Sequence, residues 1–538
     1  MNSLPVDKLR TIGHRLGLEA QSLAVMARAG LMPVKAPHKL PQLAIQMKKY
    51  GPFGGAVAAA AVQHAAYPAI ADERGEITYG EFDTQINQLA NVFRATYEPG
   101  KTVGLLCRNH RTPLLAAFAA SRAGLNTVWL NTAFSAKQAA EVATREGVDI
   151  LICDAELAEA AADLDIPVFI ADITQPEDDV TKLVATGDRT APPSPAKPGR
   201  IIILTSGTTG TPKGAPRTEP KGYTLPGALL ERMPMHSREA TVIGPPLFHG
   251  TGLIMTMITF GLGSKVVLRR QFEPETFLSD IAQHKATALC MVPVLIQRLI
   301  ALPPETTKKY DTSSLKAVFC SGSALQAAVS KEFQDRFGDV IFNLYGSTEV
   351  SLATMANPDV VRSHPTSVGT PMLGSKVAVL DDKDQPVKPG EKGRVFVGTV
   401  TPFEGYTGGG HKQIVDGMLA TGDVGHFEGD LLYIDGRDDD MIVSGGENVF
   451  PAEVEELLIS HPSVREVAVV GVEDENFGQR LRAFIALHDG ASLTEEEVRD
   501  MVKENLARYK VPRDVYFLDN LPRNPTGKVL KRELVTWE

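Results

Sequence analysis

The chain has 538 residues, a formal net charge of −10 and a hydrophobic content of 43%. This length exceeds what one hydrophobic core usually supports, so we expect several structural units. The acidic balance gives no electrostatic support to a nucleic-acid partner, and we exclude one. The 4 cysteines are scattered without CxxC spacing, which argues against a disulfide framework or zinc site and favours a reducing cytoplasm.

The chain begins with an Ala- and Leu-rich segment, residues 1–66, which we predict to be helical. Its amphipathic face is formed by Leu9, Ile12, Leu16 and Leu18, with basic residues nearby. The favoured interpretation is a helix packed on the main body, and the alternative is a peripheral membrane contact. The segment lacks the apolar core of a signal peptide, and the apolar run from Gly54 is too short to span a bilayer. We therefore expect a cytoplasmic protein, with peripheral membrane association as the open alternative.

From Tyr67 to Gly369 short β-rich runs alternate with helical stretches, a pattern that predicts parallel sheets covered by helices. Beyond Gly369 the β segments are shorter and separated by turns, which favours antiparallel pairing. We predict an α/β fold with a large N-terminal body, in which a small β-barrel-like part accompanies the parallel sheets, and a small mobile C-terminal α+β domain. The expected boundaries are 1–436 for the body, 437–441 for a hinge and 442–538 for the C-terminal domain.

The segment TSGTTGTPKG, Thr205–Gly214, follows an apolar strand and is dense in glycine and hydroxyl residues. Glycines let backbone N–H groups approach phosphate oxygens, and hydroxyls and a lysine add further donors. The segment is not a P-loop, because Lys213 follows a proline and precedes a glycine, and no G-x-G-x-x-G opens a helix. It predicts a phosphate site of another kind.

This segment resembles the phosphate loop of the adenylate-forming (acyl-activating, AMP-binding) superfamily, which includes acyl-CoA synthetases, firefly luciferase and adenylation domains of peptide synthetases. Four further segments match the family's motifs in order: YGSTE (345–349), TGD (421–423), GRDDDMIVSGGENVFPAEVE (436–455) and PRNPTGKVLKREL (522–534). The resemblance covers almost the whole chain, with the first residues the least diagnostic, and it is closest in kind to fatty acyl-CoA synthetases.

The resemblance implies that a carboxylate attacks ATP to give acyl-AMP and pyrophosphate. The residues expected to hold the phosphates are Thr205, Ser206, Gly207, Thr208, Thr209, Gly210 and Lys213. Glu349 and Thr205 are the expected Mg²⁺ ligands, since this hard cation prefers oxygen, and both are expected to take part in catalysis together with Lys528.

The adenosine of ATP is expected to lie on residues from three of these segments and the strand end before them. The expected residues are Gly322, Ser323, Ala324, Tyr345, Gly346, Ser347, Thr348, Asp423 and Arg437. Tyr345 would stack on adenine, although a buried core tyrosine is the alternative. Asp423 would accept the ribose hydroxyls with Arg437 beside it, although an aspartate that caps a turn is the alternative.

Lys528 is expected to stabilise the reacting carboxylate and α-phosphate, whereas Lys531 is interpreted as a solvated lysine. Asp439 matches the family's hinge, about which the C-terminal domain rotates between adenylation and thioester formation. Gly445 and Gly446 match the segment used by the CoA thiol, and Phe248 and His249 match the acyl and CoA site. For His249 a structural role is an equal alternative. The APR sequence at 215–217 departs from the family pattern.

These observations favour an ATP-dependent carboxylate–CoA ligase for a fatty or other apolar acid, with ATP, Mg²⁺ and CoA as cofactors and co-substrate. The alternatives are a ligase that loads the pantetheine of a carrier protein, a luciferase-like oxidation of the adenylate, and a catalytically inactive nucleotide-binding relative. The retained Glu349 and Lys528 argue against the inactive relative. The oligomeric state is left open.

Overall fold

Helices and strands alternate through most of the chain, as a computed structural model shows. The structure describes residues 6–34, 36–172, 174–175, 177–205, 213–217, 222–400, 403, 405, 412–444, 447–474, 478–524 and 527–537. Within these ranges the backbone alone is described at 6–12, 14, 205, 213, 215–217, 439, 443, 447 and 448.

The first part of the chain contains two N-terminal helices and a mainly parallel sheet. Its elements are α1 (Val6–Ala29), α2 (Leu40–His64), β1 (Pro68–Asp72), β2 (Gly75–Thr78), α3 (Tyr79–Thr96), β3 (Thr102–Leu106), α4 (Arg111–Ala123), β4 (Asn126–Trp129), α5 (Ala136–Arg145), β5 (Ile150–Asp154), β6 (Val168–Ala171), α6 (Asp179–Ala185), β7 (Ile201–Thr205) and β8 (Lys213–Arg217). The first sheet has the order β6-β5-β3-β4-β7-β8, with only its last pair antiparallel. Strands β3 and β5 are buried throughout, as expected when helices cover both faces.

A second sheet follows and carries most of the residues of interest. The next elements are α7 (Thr224–Arg232), β9 (Ala240–Ile243), α8 (Gly250–Gly261), β10 (Lys265–Leu268), α9 (Pro274–His284), β11 (Ala288–Met291), α10 (Pro293–Ile300), α11 (Pro304–Thr307), β12 (Ala317–Cys320), α12 (Ala327–Phe337), β13 (Ile341–Ser347), β14 (Ser351–Ala356), α13 (Pro358–Ser363), β15 (Ser367–Pro371), β16 (Lys376–Leu380), β17 (Gly393–Gly398), β18 (Ile414–Val415), β19 (Met418–Glu428) and β20 (Leu431–Arg437). The sheet order is β16-β17-β19-β20-β15-β14-β13-β12-β11-β9-β10-β1-β2. Along this order, neighbouring strands from β13 to β1 pair in parallel. On the other side of β13, neighbouring strands from β14 to β16 pair antiparallel.

The C-terminal part folds around a sheet and a hydrophobic core of its own. Its elements are β21 (Ile442–Ser444), β22 (Glu447–Val449), α14 (Pro451–Ile459), β23 (Val464–Asp474), β24 (Gly478–Leu487), α15 (Glu495–Asn505), β25 (Asp514–Phe517) and α16 (Lys531–Val535). The sheet order is β22-β21-β24-β23, with β25 parallel to β24. Val454, Leu458, Val469 and Ile485 belong to a core made of residues from this part of the chain.

The predicted fold class, an α/β body followed by a small α+β unit, is confirmed by this arrangement. The antiparallel strands that the sequence predicts beyond Gly369 extend the edge of the second sheet. The boundaries at 436 and 442 stay a prediction, and so does the mobility of the C-terminal unit.

The N-terminal segment forms the two helices α1 and α2, and α1 packs against α7. Val25, Met26 and Ala29 are buried, and a Cβ atom added to Gly227 of α7 would lie 2.5 Å from Cβ of Ser22. Of the predicted face, Leu16 is 65% exposed and Leu18 is half-buried, and the side chains of Leu9 and Ile12 lie outside the described part of the chain. Within the described ranges, no helix combines the length and the hydropathy needed to cross a membrane.

Candidate active site

A tight hairpin between β13 and β14 presents the YGSTE segment. Gly346 is required there, because a Cβ atom at this position would lie 1.9 Å from the carbonyl oxygen of Ser351. The hydroxyl of Ser347 donates to the carboxylate of Glu349 at 2.8 Å and accepts the backbone N–H of Val350 at 3.3 Å. The hairpin thereby holds the Glu349 carboxylate beside the end of β13. Carboxylate oxygens are the ligands that a hard cation prefers.

The next cluster joins β13 to the antiparallel strands. Asp423 of β19 pairs in register with Arg437 of β20, and Arg437 Nη1 lies 3.5 Å from one oxygen of the Asp423 carboxylate. The hydroxyl of Tyr345 donates to the other oxygen. Burial and the neighbouring Asp423 charge raise the pKa of Tyr345 well above its usual value, so the hydroxyl keeps its proton.

Lys528 enters the same region from the C-terminal unit. The backbone N–H of Lys528 donates to the Asn524 side chain at 2.9 Å. The carbonyl oxygen of Lys528 accepts the backbone N–H of Asn524, also at 2.9 Å. The Lys528 side chain is solvent-accessible, but it lies in the cavity with protein around it. This burial lowers the pKa of Lys528, Arg437 lowers it further, and the Asp423 and Glu349 carboxylates partly offset both effects.

The turn that carries Lys528 fits closely against the N-terminal body. Gly527 has a φ of +83°, and a Cβ atom at this position would lie 2.3 Å from Cγ1 of Val294 in α10. Both the backbone conformation and the close approach favour glycine. The lysine is thus delivered to the site by a direct contact between the two parts of the chain.

His249 lies at the start of α8 and faces this site. The backbone N–H of Thr251 donates to its Nδ1 at 3.3 Å, so the side chain caps the helix and the proton resides on Nε2. Burial and the nearby Lys528 charge lower the pKa of His249 to about 4. The imidazole is therefore neutral at physiological pH, with Nε2–H as a hydrogen-bond donor.

These clusters line one cavity of about 3070 Å³. The sequence-predicted residues that line it are Phe248, His249, Gly322, Ser323, Ala324, Tyr345, Gly346, Ser347, Thr348, Glu349, Asp423, Arg437 and Lys528. His249 approaches the end of β12, since a Cβ atom on Gly322 would lie 3.9 Å from its Cε1. The structure therefore brings together segments as distant in the sequence as Phe248 and Lys528.

Comparison with known proteins identifies the architecture. The model of the AMP-binding enzyme family matches residues 57–407, and that of the AMP-binding enzyme C-terminal domain matches residues 453–528. The chain belongs to the AMP-binding enzyme family. The predicted superfamily membership is thereby confirmed, and the residue roles within the motifs stay predictions.

Three similar proteins illustrate the range of relatives of this AMP-binding enzyme. Feruloyl-CoA synthase of Amycolatopsis sp is 32% identical over 472 residues, which cover 85% of this chain and 93% of that protein. A fatty acid–[acyl-carrier-protein] ligase, ScoC of Streptomyces coeruleorubidus, is 27% identical over 482 residues, covering 87% and 92%. The crystal structure of ATP-bound MatB from Rhodopseudomonas palustris aligns with a TM-score of 0.78 at 27% identity, covering 87% of this chain and 95% of that one.

Several predicted residues of the AMP-binding enzyme lie outside the described residues. These are Ser206, Gly207, Thr208, Thr209, Gly210, Gly445 and Gly446. Only the backbones of Thr205 and Lys213 are described. They pair with each other where β7 ends and β8 begins. Asp439, of which only the backbone is described, lies in the 3₁₀ turn Asp438–Asp440 directly after β20. The expected phosphate loop thus connects β7 to β8.

Of the two expected magnesium ligands, Glu349 offers a carboxylate of the kind that this cation prefers, held by Ser347 and lining the cavity. The other, Thr205, ends β7 and is described by its backbone alone. Within the described ranges, the one group of at least three His, Cys and acidic side chains with ligand atoms within 4.8 Å of one another is Cys107, His110 and Asp154. Both nitrogens of its histidine are engaged, by Asp154 at 2.7 Å and by the N–H of Thr112 at 3.3 Å, so we interpret this group as structural.

Sequence reasoning missed two features of the site. Lys531, interpreted as a solvated lysine, forms an ion pair with Glu455 at 2.9 Å and lines the cavity. The second feature is the contribution of α1 and α2, which line one end of the cavity. The apolar positions of α2 recur at helical spacing, but that pattern indicates burial and not the presence of an open space beside the helix.

Proposed function

We propose that this chain is an ATP-dependent carboxylate–CoA ligase that activates an apolar acid as acyl-AMP and then transfers the acyl group to the thiol of CoA. The observation that carries the proposal is the meeting of Lys528 with Asp423, Arg437 and Glu349 at one cavity. Family membership and the CoA-ligase relatives support the reaction class.

The first step joins two anions, and the site's charges suit that task. A carboxylate oxygen of the acid attacks the α-phosphorus of ATP, the bond from that phosphorus to the bridging oxygen breaks, and pyrophosphate leaves. Lys528 and Arg437 place positive charge where negative charge is concentrated during the attack. A bound Mg²⁺ would neutralise charge on the phosphates, with Glu349 and Thr205 as the residues that would hold it.

The ribose end of the nucleotide is proposed to lie at Asp423. The Tyr345 hydroxyl and the Arg437 guanidinium fix the orientation of this carboxylate, leaving lone pairs for ribose hydroxyls. The same hydrogen bond fixes the ring of Tyr345, whose face is proposed to stack on adenine. The positioning therefore precedes substrate binding, which reduces the entropy lost when ATP binds.

In the second step the thiolate sulfur of CoA attacks the acyl carbonyl carbon, the acyl–phosphate bond breaks, and AMP leaves with the bonding electrons. The thiol proton is released to solvent. Neutral His249 is proposed to donate its Nε2–H to the reacting acyl group, next to Gly322. The rotation about Asp439 that would present Gly445 and Gly446 stays part of the proposal.

A ligase that loads a carrier protein is the second candidate. ScoC, a relative at 27% identity, is named for an acyl-carrier-protein acceptor. CoA and a carrier protein present the same thiol arm, so the cavity residues suit both acceptors.

The test measures pyrophosphate release from ATP with a panel of aromatic and aliphatic acids, with CoA present and absent. We expect acid-dependent pyrophosphate release, and acyl-CoA formation when CoA is added. Absence of pyrophosphate with every acid would overturn the ligase proposal. Acyl-AMP that reacts with pantetheine on a carrier protein, but not with CoA, would establish the second candidate instead.

A further inference from the structure

Helix α2 is bent at Gly51 into two halves that fold back on each other. Gly51 has a φ of +76° and a ψ of 175°, a backbone conformation outside the helical range that favours glycine. Pro52 follows in the first turn of the second half, where its missing N–H would have no helical partner. A Cβ atom added to Gly55 would lie 2.8 Å from the carbonyl oxygen of Gln46. The first half, residues 40–50, therefore lies against the second half.

This first half is attached to the body but scarcely covered by it. None of the described residues 40–49 is buried, whereas the second half supplies Phe53 and Ala60 to the core. The Tyr50 hydroxyl donates to the carbonyl oxygen of Pro192 at 2.6 Å and fixes the end of the first half. Apolar side chains gathered on an exposed helix indicate an interaction site. The exposed residues of the first half are Leu40, Pro41, Gln42, Ala44, Ile45 and Lys48, most of them apolar.

Helix α1 borders the same opening of the cavity. Arg15 of α1 lines the cavity together with Leu40 and Lys48 of α2, and all three are exposed. Leu16, next to Arg15, is 65% exposed, and Ile45 is 58% exposed. This part of the chain precedes the family match, which begins at residue 57. The exposed residues at this opening and next to it, which we call the docking face, are Arg15, Leu16, Leu40, Pro41, Ala44, Ile45 and Lys48.

The docking face is positively charged, in contrast to the chain as a whole. Residues 13–52 contain 6 lysines and arginines and 1 acidic residue, Glu19, whereas the full chain contains 55 and 65. The Glu19 carboxylate is engaged by α7, since it accepts the N–H of Tyr223 at 2.8 Å and the hydroxyl of Thr224 at 3.0 Å. The charges on the docking face are therefore positive, and they complement a negatively charged surface.

We propose that the docking face binds an anionic lipid bilayer. The first half of α2 lies in the plane of the interface, with Leu40 and Ile45 between the lipid headgroups and with Arg15 and Lys48 at their phosphates. Uncovered apolar side chains next to lysine and arginine are the combination by which an interfacial helix binds. Each contribution is small for a helix about 16 Å long, and the two together give a reversible attachment. This inference goes beyond the proposed function, because attachment requires no turnover.

A second copy of the chain is a poorer occupant of the docking face. A twofold dimer places the same patch of both subunits in contact, so Arg15 and Lys48 of one copy would face those of the other. Like charges at close range weaken such an interface. In a bilayer that contains phosphatidylglycerol, each headgroup of that lipid instead offers a phosphate with no cation of its own.

The test is co-sedimentation of the full chain with vesicles of phosphatidylcholine mixed with phosphatidylglycerol, and with vesicles of phosphatidylcholine alone. We expect binding to the mixed vesicles, and weaker binding to the neutral ones. The double variant Arg15→Gln with Lys48→Gln should weaken binding about twentyfold, since each cation near an anionic leaflet contributes about fivefold. The double variant Leu40→Ser with Ile45→Ser should weaken it at least about fivefold, because apolar burial is lost.

The matched controls carry the same changes away from the docking face. Lys331→Gln with Lys503→Gln removes exposed charge from α12 and α15, and Ile414→Ser removes an apolar side chain that is 57% exposed. All of these variants change exposed side chains, and unchanged thermal midpoints verify that they fold. Absence of binding to the mixed vesicles, or equal losses in the control variants, would overturn the proposal.

Two further outcomes would assign the docking face to another role. A dimer that sediments without vesicles and that Leu40→Ser with Ile45→Ser disperses would identify a second copy as the occupant. Vesicle binding that only Arg15→Gln with Lys48→Gln weakens would show a purely electrostatic contact. Either outcome would overturn the proposal of a helix that lies in the interface.

Discussion

Lys528 is the residue on which the proposed chemistry of the site depends most directly. It comes from the C-terminal unit, and its neighbours Arg437, Asp423 and Glu349 come from the N-terminal body and its last strand. Burial and the Arg437 charge lower its pKa from the usual value, so the charge that we propose to stabilise the reacting anions is lost at a lower pH than for a surface lysine.

We predict that the adenylation rate is full below the lowered pKa of Lys528 and falls as the pH rises through it. The reason is that the neutral amine no longer stabilises the negative charge of the attacking carboxylate and phosphate. Pyrophosphate release measured from neutral to strongly alkaline pH checks this. Lys528→Arg keeps its charge over that range, so its residual activity should show no such fall; an identical fall in the variant would assign it to another group.

Removal of the charge altogether should separate the two half-reactions. We expect Lys528→Gln to slow acyl-AMP formation by at least about a hundredfold, comparable with the loss of a preorganised oxyanion donor. Thioester formation from supplied acyl-AMP should be largely retained. The control is Lys503→Gln, on the exposed side of α15. Equal loss of both half-reactions would contradict the assignment of Lys528 to the first step.

His249 combines a structural contact with a position at the reactive centre, and two variants distinguish them. His249→Asn keeps an N-cap acceptor for α8, whereas His249→Ala removes it at a cost of about 1 kcal/mol of folding free energy. We expect both to lose activity equally, and only His249→Ala to lower the thermal midpoint. Because its pKa is about 4, His249 should add no inflection near pH 6.5 to the rate profile. Full activity of His249→Asn would show that the histidine serves only as a helix cap.

At the scale of elements, the short turn Asn524–Lys528 determines whether the lysine reaches the site. We predict that Gly527→Ala lowers the adenylation rate about tenfold to a hundredfold, because its Cβ atom would displace the turn from Val294. Gly490→Ala is the matched control, since Gly490 has a φ of +75° but no atom within 4 Å of an added Cβ. Both substitutions carry the strain of a left-handed alanine, about 1–2 kcal/mol, and differ in the steric contact.

A second substitution identifies the contact itself. Val294→Ala removes Cγ1 of Val294, the atom that a Cβ atom at position 527 would meet at 2.3 Å. The double variant should therefore recover part of the adenylation rate lost in Gly527→Ala, while the strain at position 527 persists. No recovery would assign the loss to backbone strain alone.

Features that depend on neighbouring residues in the chain can be predicted from the sequence. Contacts between residues that are distant in the chain cannot. The loop after β7 follows from a short motif, because phosphate loops demand particular residue types, whereas the YGSTE motif predicts a nucleotide and magnesium segment and not the tight hairpin at Gly346. The hydrogen bond from Tyr345 to Asp423 spans 78 residues and depends on the register of β13 with the antiparallel strands. The end of the cavity beside α2 could not be predicted either, since the apolar positions of α2 give the same pattern in a closed core.

At the scale of the whole molecule, contacts between the body and the C-terminal unit stabilise the orientation that the structure shows. The Glu456 carboxylate of α14 accepts the N–H of Ala327 at 3.1 Å, at the start of α12, where no side chain of α12 provides a cap. Lys392 of the body binds Glu453 of α14 at 3.1 Å. These contacts accompany the placement of Lys528 at the nucleotide residues.

We predict that Glu456→Ala slows adenylation about fivefold and leaves thioester formation from supplied acyl-AMP unchanged or faster. The carboxylate at the N-terminus of α12 contributes about 1 kcal/mol to this orientation alone. Single-turnover measurements of each half-reaction test this, with the exposed Glu473→Ala as the control. A slower second half-reaction would show that Glu456 does not favour one orientation over the other.

Arg15, Leu40 and Lys48 are exposed and line the cavity, so the cavity has an opening at α1 and α2, away from the C-terminal unit. Under the proposed function, an acid that enters at this opening does not pass the turn that carries Lys528. We then expect the acid to associate with the free protein and with its ATP complex alike. Initial-rate patterns should show random addition of ATP and acid, and strictly ordered addition would contradict entry at this opening.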